Sequence, residues 1–197
     1  PEAFQSVMKR AKEQGKSVTG HVPLSMDVIE ASNLGLNSME HMRNLEMSIS
    51  EDRDSLLAVR KTLLKNPADL LGLELRSQIH SAQRLHAIAT QSESQRDYVL
   101  NVLRENGTWQ IPTLSIITPR AFRPFSQESW RANYKYMPQT VQDRWTDGSL
   151  KASALPIDPT DSIFPNWAIE MVGHLKTANV PIMAGTDTPI FFLTPGF

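Results

Sequence analysis

Apolar residues in this chain recur at helical spacing in runs that stop on Gly or Asn. After each stop a short strand-like burst ends in one polar residue. Four instances stand in order. Ala11-Lys-Glu-Gln-Gly15 leads to Lys16-Ser-Val-Thr-Gly20 and then His21. Glu30-Ala-Ser-Asn-Leu-Gly35 leads to Leu36-Asn-Ser-Met-Glu40 and then His41. Val102-Leu-Arg-Glu-Asn-Gly107 leads to Thr108-Trp-Gln-Ile-Pro112 and then Thr113. His174-Leu-Lys-Thr-Ala-Asn179 leads to Val180-Pro-Ile-Met-Ala-Gly-Thr186 and then Asp187. Gly or Asn just past a helix suits a left-handed cap, and helix-to-strand connections are short. The pattern therefore predicts parallel strands joined by crossover helices. His41 follows His21 by 20 residues, room for one loop, one helix over about Ser25 to Asn33, and one strand.

In a β/α barrel the strand C-termini open on one face, where chemistry is placed. Here those ends carry His21, His41, Thr113 and Asp187, and the pattern predicts that they converge. Four strands can be half of an eight-strand barrel or an open sheet of the doubly wound kind; periodicity leaves both open.

Two long stretches interrupt the regularity. The first, about residues 43–92, reads as helical, with apolar positions Leu56, Leu57, Val59, Leu63 and Leu64 between Asp52 and Lys65. Asn66-Pro67-Ala68-Asp69 then reads as a cap, a first-position proline and a first-turn acid, opening a helix that runs toward Ala89. A further helix is expected over about Ser94 to Glu105, with Tyr98, Val99, Val102 and Leu103 inward. The second stretch, about residues 118–165, is rich in Pro and aromatics (Phe122, Phe125, Trp130, Tyr134, Tyr136, Trp145) and is expected to sit over a strand mouth as lid or wall. The helix Asn166 to Ala178 returns the chain to the fourth strand. The opening Pro1-Glu2-Ala3-Phe4 reads as a helix start and Pro195-Gly196-Phe197 as a turn, so both ends are expected to be cuts in a longer protein.

Composition narrows the chemistry. Of 197 residues, 40% are hydrophobic and 21% charged, an ordinary globular balance. The formal net charge of -1 gives no electrostatic support for nucleic-acid binding. No window is apolar enough for a membrane span. Cysteine is absent, so any metal must be held by His and carboxylate. His21, His41 and Asp187, at equivalent places in successive units, suit a divalent cation, with zinc the first candidate, that activates water while a carboxylate moves its proton. His80 and His86 fall on different faces of one helix, His174 lies on a surface helix, and the Lys and Arg of the first insertion are expected to form a solvated face. His-x-His, His-Glu-x-x-His, Gly-rich phosphate loops and Gly-x-Ser-x-Gly are all missing.

Gly20-His21-Val22-Pro23, Gly35-Leu36-Asn37-Ser38-Met39-Glu40-His41, Ile111-Pro112-Thr113-Leu114 and Ala184-Gly185-Thr186-Asp187, in that order, resemble the amidohydrolase superfamily, in particular its imidazolonepropionase-like and prolidase-like metal-dependent hydrolases. The resemblance covers the regular helix–strand parts and not the insertions. It implies an α/β fold: a partial (β/α)8 TIM-like barrel, strands 5–8 with crossover helices plus the helical insertion, as a single partial domain over residues 1–197. It implies His21 and His41 as metal ligands on strands five and six. It implies that Asp187, at strand eight, corresponds to the family's aspartate that touches the metal and shuttles the proton. Thr113, at strand seven, lines the substrate pocket. The implied reaction is hydrolysis of an amide-like C–N bond in a small-molecule or dipeptide-like substrate. The family's strand-one His-x-His and strand-four bridging group have no counterpart here. A silent half-barrel that self-associates through exposed strand edges, as a homo-oligomer, and a small-ligand-binding α/β module are the competing expectations.

Overall fold

A residue with positive φ ends each of four helices: Gly15 (62°), Gly35 (96°), Gly107 (61°) and Asn179 (57°). The same two hydrogen bonds close each one. Gly15 N donates to Lys12 O and Lys16 N to Ala11 O; Gly35 N donates to Ser32 O and Leu36 N to Ala31 O. Gly107 N donates to Arg104 O and Thr108 N to Leu103 O; Asn179 N donates to Lys176 O and Val180 N to Leu175 O. This is the Schellman arrangement, in which a left-handed residue lets the chain satisfy the last helical carbonyls while turning away from the axis. All four stops are those read from the sequence.

The computed structural model describes residues 2–65, 72–190 and 192–195. It divides into two compact units, Pro1–Pro112 with Glu170–Met183, and Thr113–Ile169 with Ala184–Phe197. In the first unit α1 (Glu2–Glu13) precedes β1 (Thr19–Gly20), α2 (Val28–Asn33) precedes β2 (Ser38–Glu40), and α3 (Leu45–Ser48), α4 (Arg53–Lys65), α5 (Gly72–Ala89) and α6 (Glu93–Glu105) precede β3 (Trp109–Ile111). The strands are parallel in the order β1-β2-β3, with Thr19 opposite Ser38 and Ser38 opposite Trp109. The fourth predicted strand is reduced to a bridge. Gln110 N donates to Pro181 O and Met183 N to Gln110 O, pairing Ile182 in parallel beside β3. Spatial order thus follows chain order without reversal, and the unit is an α/β structure. Its core includes Val22, Met26, Ala31, Leu36, Met39, Val99, Leu103, Met171 and Leu175, all at most 2% exposed.

Two expectations about faces change. Tyr98 is 54% exposed, not inward. Val99, Leu100 and Leu103 form the buried row of α6, and Tyr98 lies about 100° around the axis from Val99. In α4, Val59 and Leu63 are exposed whereas Arg60 is wholly buried, so the Lys and Arg of this insertion are not one solvated face. The expected Asn66–Asp69 helix start lies outside the described residues, and α5 ends at Ala89 as expected.

The second unit holds short helical turns: α7 (Leu114–Ile117), α8 (Pro119–Phe122), α9 (Glu128–Arg131), the longer α10 (Gln139–Ala154), and the first part of α11 (Ile163–Thr177). Its aromatics pack on one another. Phe125 and Phe192 ring centres are 5.4 Å apart, Tyr134 and Trp145 5.5 Å, and Trp145 and Phe192 6.3 Å, all edge-on. Trp130 Nε1 donates to Phe192 O at 3.0 Å. Among the described residues no helix is long and apolar enough to cross a membrane.

A methyl group at Gly107 would meet open space, so Gly107→Ala tests the left-handed backbone alone. We expect a loss of about 1–2 kcal/mol in urea unfolding, the cost of a non-glycine residue in that conformation. An unchanged midpoint would contradict a required left-handed stop.

Candidate functional site

His21 and His41 directly follow β1 and β2, Thr113 lies two residues past β3, and Asp187 lies five past the Ile182 bridge. Residue 15 to 21, 35 to 41 and 107 to 113 are each six apart, and 179 to 187 is eight. Three of these four residues themselves have positive φ: His41 at 59°, Thr113 at 50° and Asp187 at 56°. For Thr113, whose β-branch crowds that conformation, the cost is roughly 1–3 kcal/mol. Backbone of this kind persists where its surroundings hold it, and it clusters at binding and catalytic sites.

In the first unit His21 is exposed just past β1, and His41 is 8% exposed just past β2. The register would pair His21 with Glu40 and place His41 one residue further on. Extended strands would then face the two imidazoles to opposite sides of the sheet. The left-handed turn at His41 breaks that alternation, and the ring centres lie 5.0 Å apart at 56°. Two imidazoles bound to one ion at about 2.0–2.1 Å, with each ring centre about 3.2 Å from it, have centres about 4.5–5.2 Å apart at right-angle to tetrahedral geometry. The pair therefore fits the spacing of two ligands of a single cation.

Thr113 and Asp187 belong to the second unit. Thr113 is 3% exposed and precedes α7; Asp187 is exposed. The two turns are tied together, since Ser115 Oγ donates to Thr186 O at 3.0 Å. Thr186 and Thr188 hydroxyls share a further bond of 3.0 Å. The structure thus brings the His21 and His41 rings together, and between the other two turns it shows the Ser115–Thr186 bond. Among the described residues no group of three or more His, Cys, Asp or Glu side chains is placed to hold a metal ion. Of the other histidines, His86 is exposed with Nε2 2.6 Å from Asp52 Oδ2, and His174 lies 3.6 Å from Glu170.

Sequence reasoning passed over a buried charged cluster in the helical insertion. Glu46, on α3, is 1% exposed, with Oε1 3.5 Å from His80 Nδ1 and 3.5 Å from Arg84 Nε. Arg60 is wholly buried nearby, held by Asn44 and Gln83. One signal was present: Leu56, Arg60 and Leu64 are four apart, which puts Arg60 on an apolar row of α4. Burial by itself would raise the Glu46 carboxyl. The His80 contact and the Arg84, His80 and Arg60 charges outweigh it and hold the pKa at about 2. Burial pushes His80 below its ordinary value, against the pull of Glu46.

No protein-family model matches the chain, and no curated protein or solved structure matches it significantly.

Both shifts make acid destabilising. The unfolded chain takes up a proton at His80 below pH 6.5 that the folded chain resists, and a proton at Glu46 below pH 4.5 that the folded chain resists down to about 2. Urea midpoints should fall as pH drops through 6.5 and fall again between 4.5 and about 2. His80→Gln should flatten the upper decline and Glu46→Gln the lower one. Variants with the wild-type pH profile would contradict this assignment.

Proposed function

We propose that this chain is the second half of a (β/α)8 barrel from a metal-dependent hydrolase of the amidohydrolase type, acting on amide-like C–N bonds of small or dipeptide-like substrates. The observation that carries the reading is the His21–His41 pair, two imidazoles 5.0 Å apart just past adjacent parallel strands. The unreversed strand order favours it over a doubly wound module, which binds where strand order reverses. In this reading β1, β2, β3 and the segment around Ile182 are strands five to eight, and His21 and His41 hold a divalent cation, zinc first. Such an ion, when bound, supplies Lewis acidity that brings the ionisation of water toward neutral pH. Cleaving the C–N bond needs a base that takes the proton of the attacking water and returns it to the leaving nitrogen. By the resemblance of Ala184-Gly185-Thr186-Asp187 and Ile111-Pro112-Thr113-Leu114 to the family, Asp187 would take that role and Thr113 would face the substrate. The family's further ligands, on strands one and four, have no counterpart among the motifs of this chain, so hydrolysis is assigned to the longer protein and cation binding to this part of it.

Co²⁺ titration followed by its visible absorption tests the pair. We expect His21→Ala and His41→Ala each to weaken binding by at least about tenfold, the mildest effect of losing even an outer contact to a ligand. His86→Ala, at an exposed histidine beside Asp52, should change nothing. Equal affinity in wild type and His41→Ala would leave an ordinary ring contact and remove the metal reading. In the longer protein, Asp187→Asn should lower amide hydrolysis by about 10²–10⁴-fold, and undiminished turnover would remove the role given to Asp187.

A further inference from the structure

Asn44 is wholly buried three residues after His41, in a left-handed conformation with φ 67° and ψ 0°. Its amide spends both hydrogens on the loop that leaves β1. Nδ2 donates to Pro23 O at 2.9 Å and to Met26 O at 2.9 Å. Pro23 is two residues after His21. Oδ1 accepts from Arg60 Nη1 at 2.7 Å. Arg60 Nε in turn donates to Gln83 Oε1, and Gln83 Nε2 donates to Leu56 O at 3.1 Å. A second tie runs beside the first. Ser48 Oγ donates to Asn44 O at 2.7 Å and accepts from Val28 N at 3.0 Å.

We propose that Asn44 is a positioning residue for the His21–His41 pair, clamping the loop after β1 to the turn after β2 while Arg60 and Gln83 fix the orientation of its amide. An amide with two donors on one edge and an acceptor on the other suits this work. Neither leucine nor aspartate could donate to both carbonyls. The cost of the arrangement points the same way. Burying a guanidinium is expensive, and apolar replacements of buried charged groups are often as stable or more so. Arg60 aims one nitrogen at Asn44 Oδ1 and another at Gln83, which fixes geometry rather than adding apolar packing. The functional meaning of the clamp rests on reading the two histidines as ligands; its geometry does not.

The test is made first on the metal-free chain, by ¹H–¹⁵N spectra of the imidazole rings. Asn44→Gly deletes the side chain and keeps the left-handed backbone accessible. Asn44→Asp keeps size, backbone preference and the acceptor for Arg60 but loses both donors, and it preserves the test if Asn44→Gly does not fold. We expect either variant to shift the His21 and His41 ring signals and leave those of His86 and His174 in place. Co²⁺ affinity should fall by about 10–100-fold, the usual effect of losing a group that orients a ligand. Gly107→Ala, which destabilises the same unit elsewhere, should move neither readout. Wild-type ring signals for His21 and His41 in Asn44→Asp would overturn the proposal. Shifted ring signals in a protein whose wild type takes up no Co²⁺ would uphold the clamp and overturn the metal reading alone.

Discussion

Each strand of the first unit is entered through the same left-handed helix stop, and the placement of every other feature follows from it. A Schellman stop fixes the direction in which the chain leaves the helix; β1, β2 and β3 then begin four, three and two residues past Gly15, Gly35 and Gly107. Gly15, Gly35 and Gly107 are followed six residues later by His21, His41 and Thr113, but the sheet register staggers these residues by one from strand to strand, so equal offsets from the stops do not place them level. The strands themselves are only two or three residues long. So few ladder hydrogen bonds hold a register weakly, and the stops together with the helices packed behind them carry much of that burden.

A second constraint acts past the strands, where the backbone is no longer extended. His41, Met42 and Asn44 all have positive φ, and a run of this kind in non-glycine residues needs external support. The support is polar and buried. Asn44 reaches the loop after β1, Arg60 reaches Asn44 from α4, and Glu46 draws His80 and Arg84 of α5 toward α3. The helical insertion is therefore joined to the histidine turns by directional bonds between groups that are costly to bury singly. The Asn44 side of this network is hydrogen-bonded, while Glu46 meets His80 and Arg84 through contacts of 3.5 Å rather than through hydrogen bonds. This explains how short strands and strained turns can still hold two imidazoles in one relation.

Much of this frame was legible in the residues. The four stops, a helix ending at Asn33, the α5 end at Ala89 and a helix ending at Glu105 were legible in apolar spacing and in Gly and Asn chemistry, whereas the Asp27 cap that starts the first of these helices at Val28, rather than near Ser25, was not. The pairing of His21 with His41 was legible as an expectation of convergence. The Asn44 clamp was not, because hydrogen bonds between segments have no period. Arg60 shows why: charge alone predicts exposure, and only its place on the Leu56–Leu64 row hints otherwise. Tyr98 failed for the opposite reason, since an apolar ring next to a buried row lies outside it by one helical step. Thr113 and Asp187 were found at predicted strand ends, yet their left-handed backbone follows from neither composition nor spacing.

His21 and His41 are proposed to act together on one cation. Zinc K-edge X-ray absorption of the zinc-loaded chain tests it most directly. Nitrogen neighbours are expected at about 2.0–2.1 Å, with more distant scattering from two imidazoles that falls to one in His41→Ala. A shell of oxygen with no imidazole scattering, or a spectrum unchanged in His41→Ala, would contradict it.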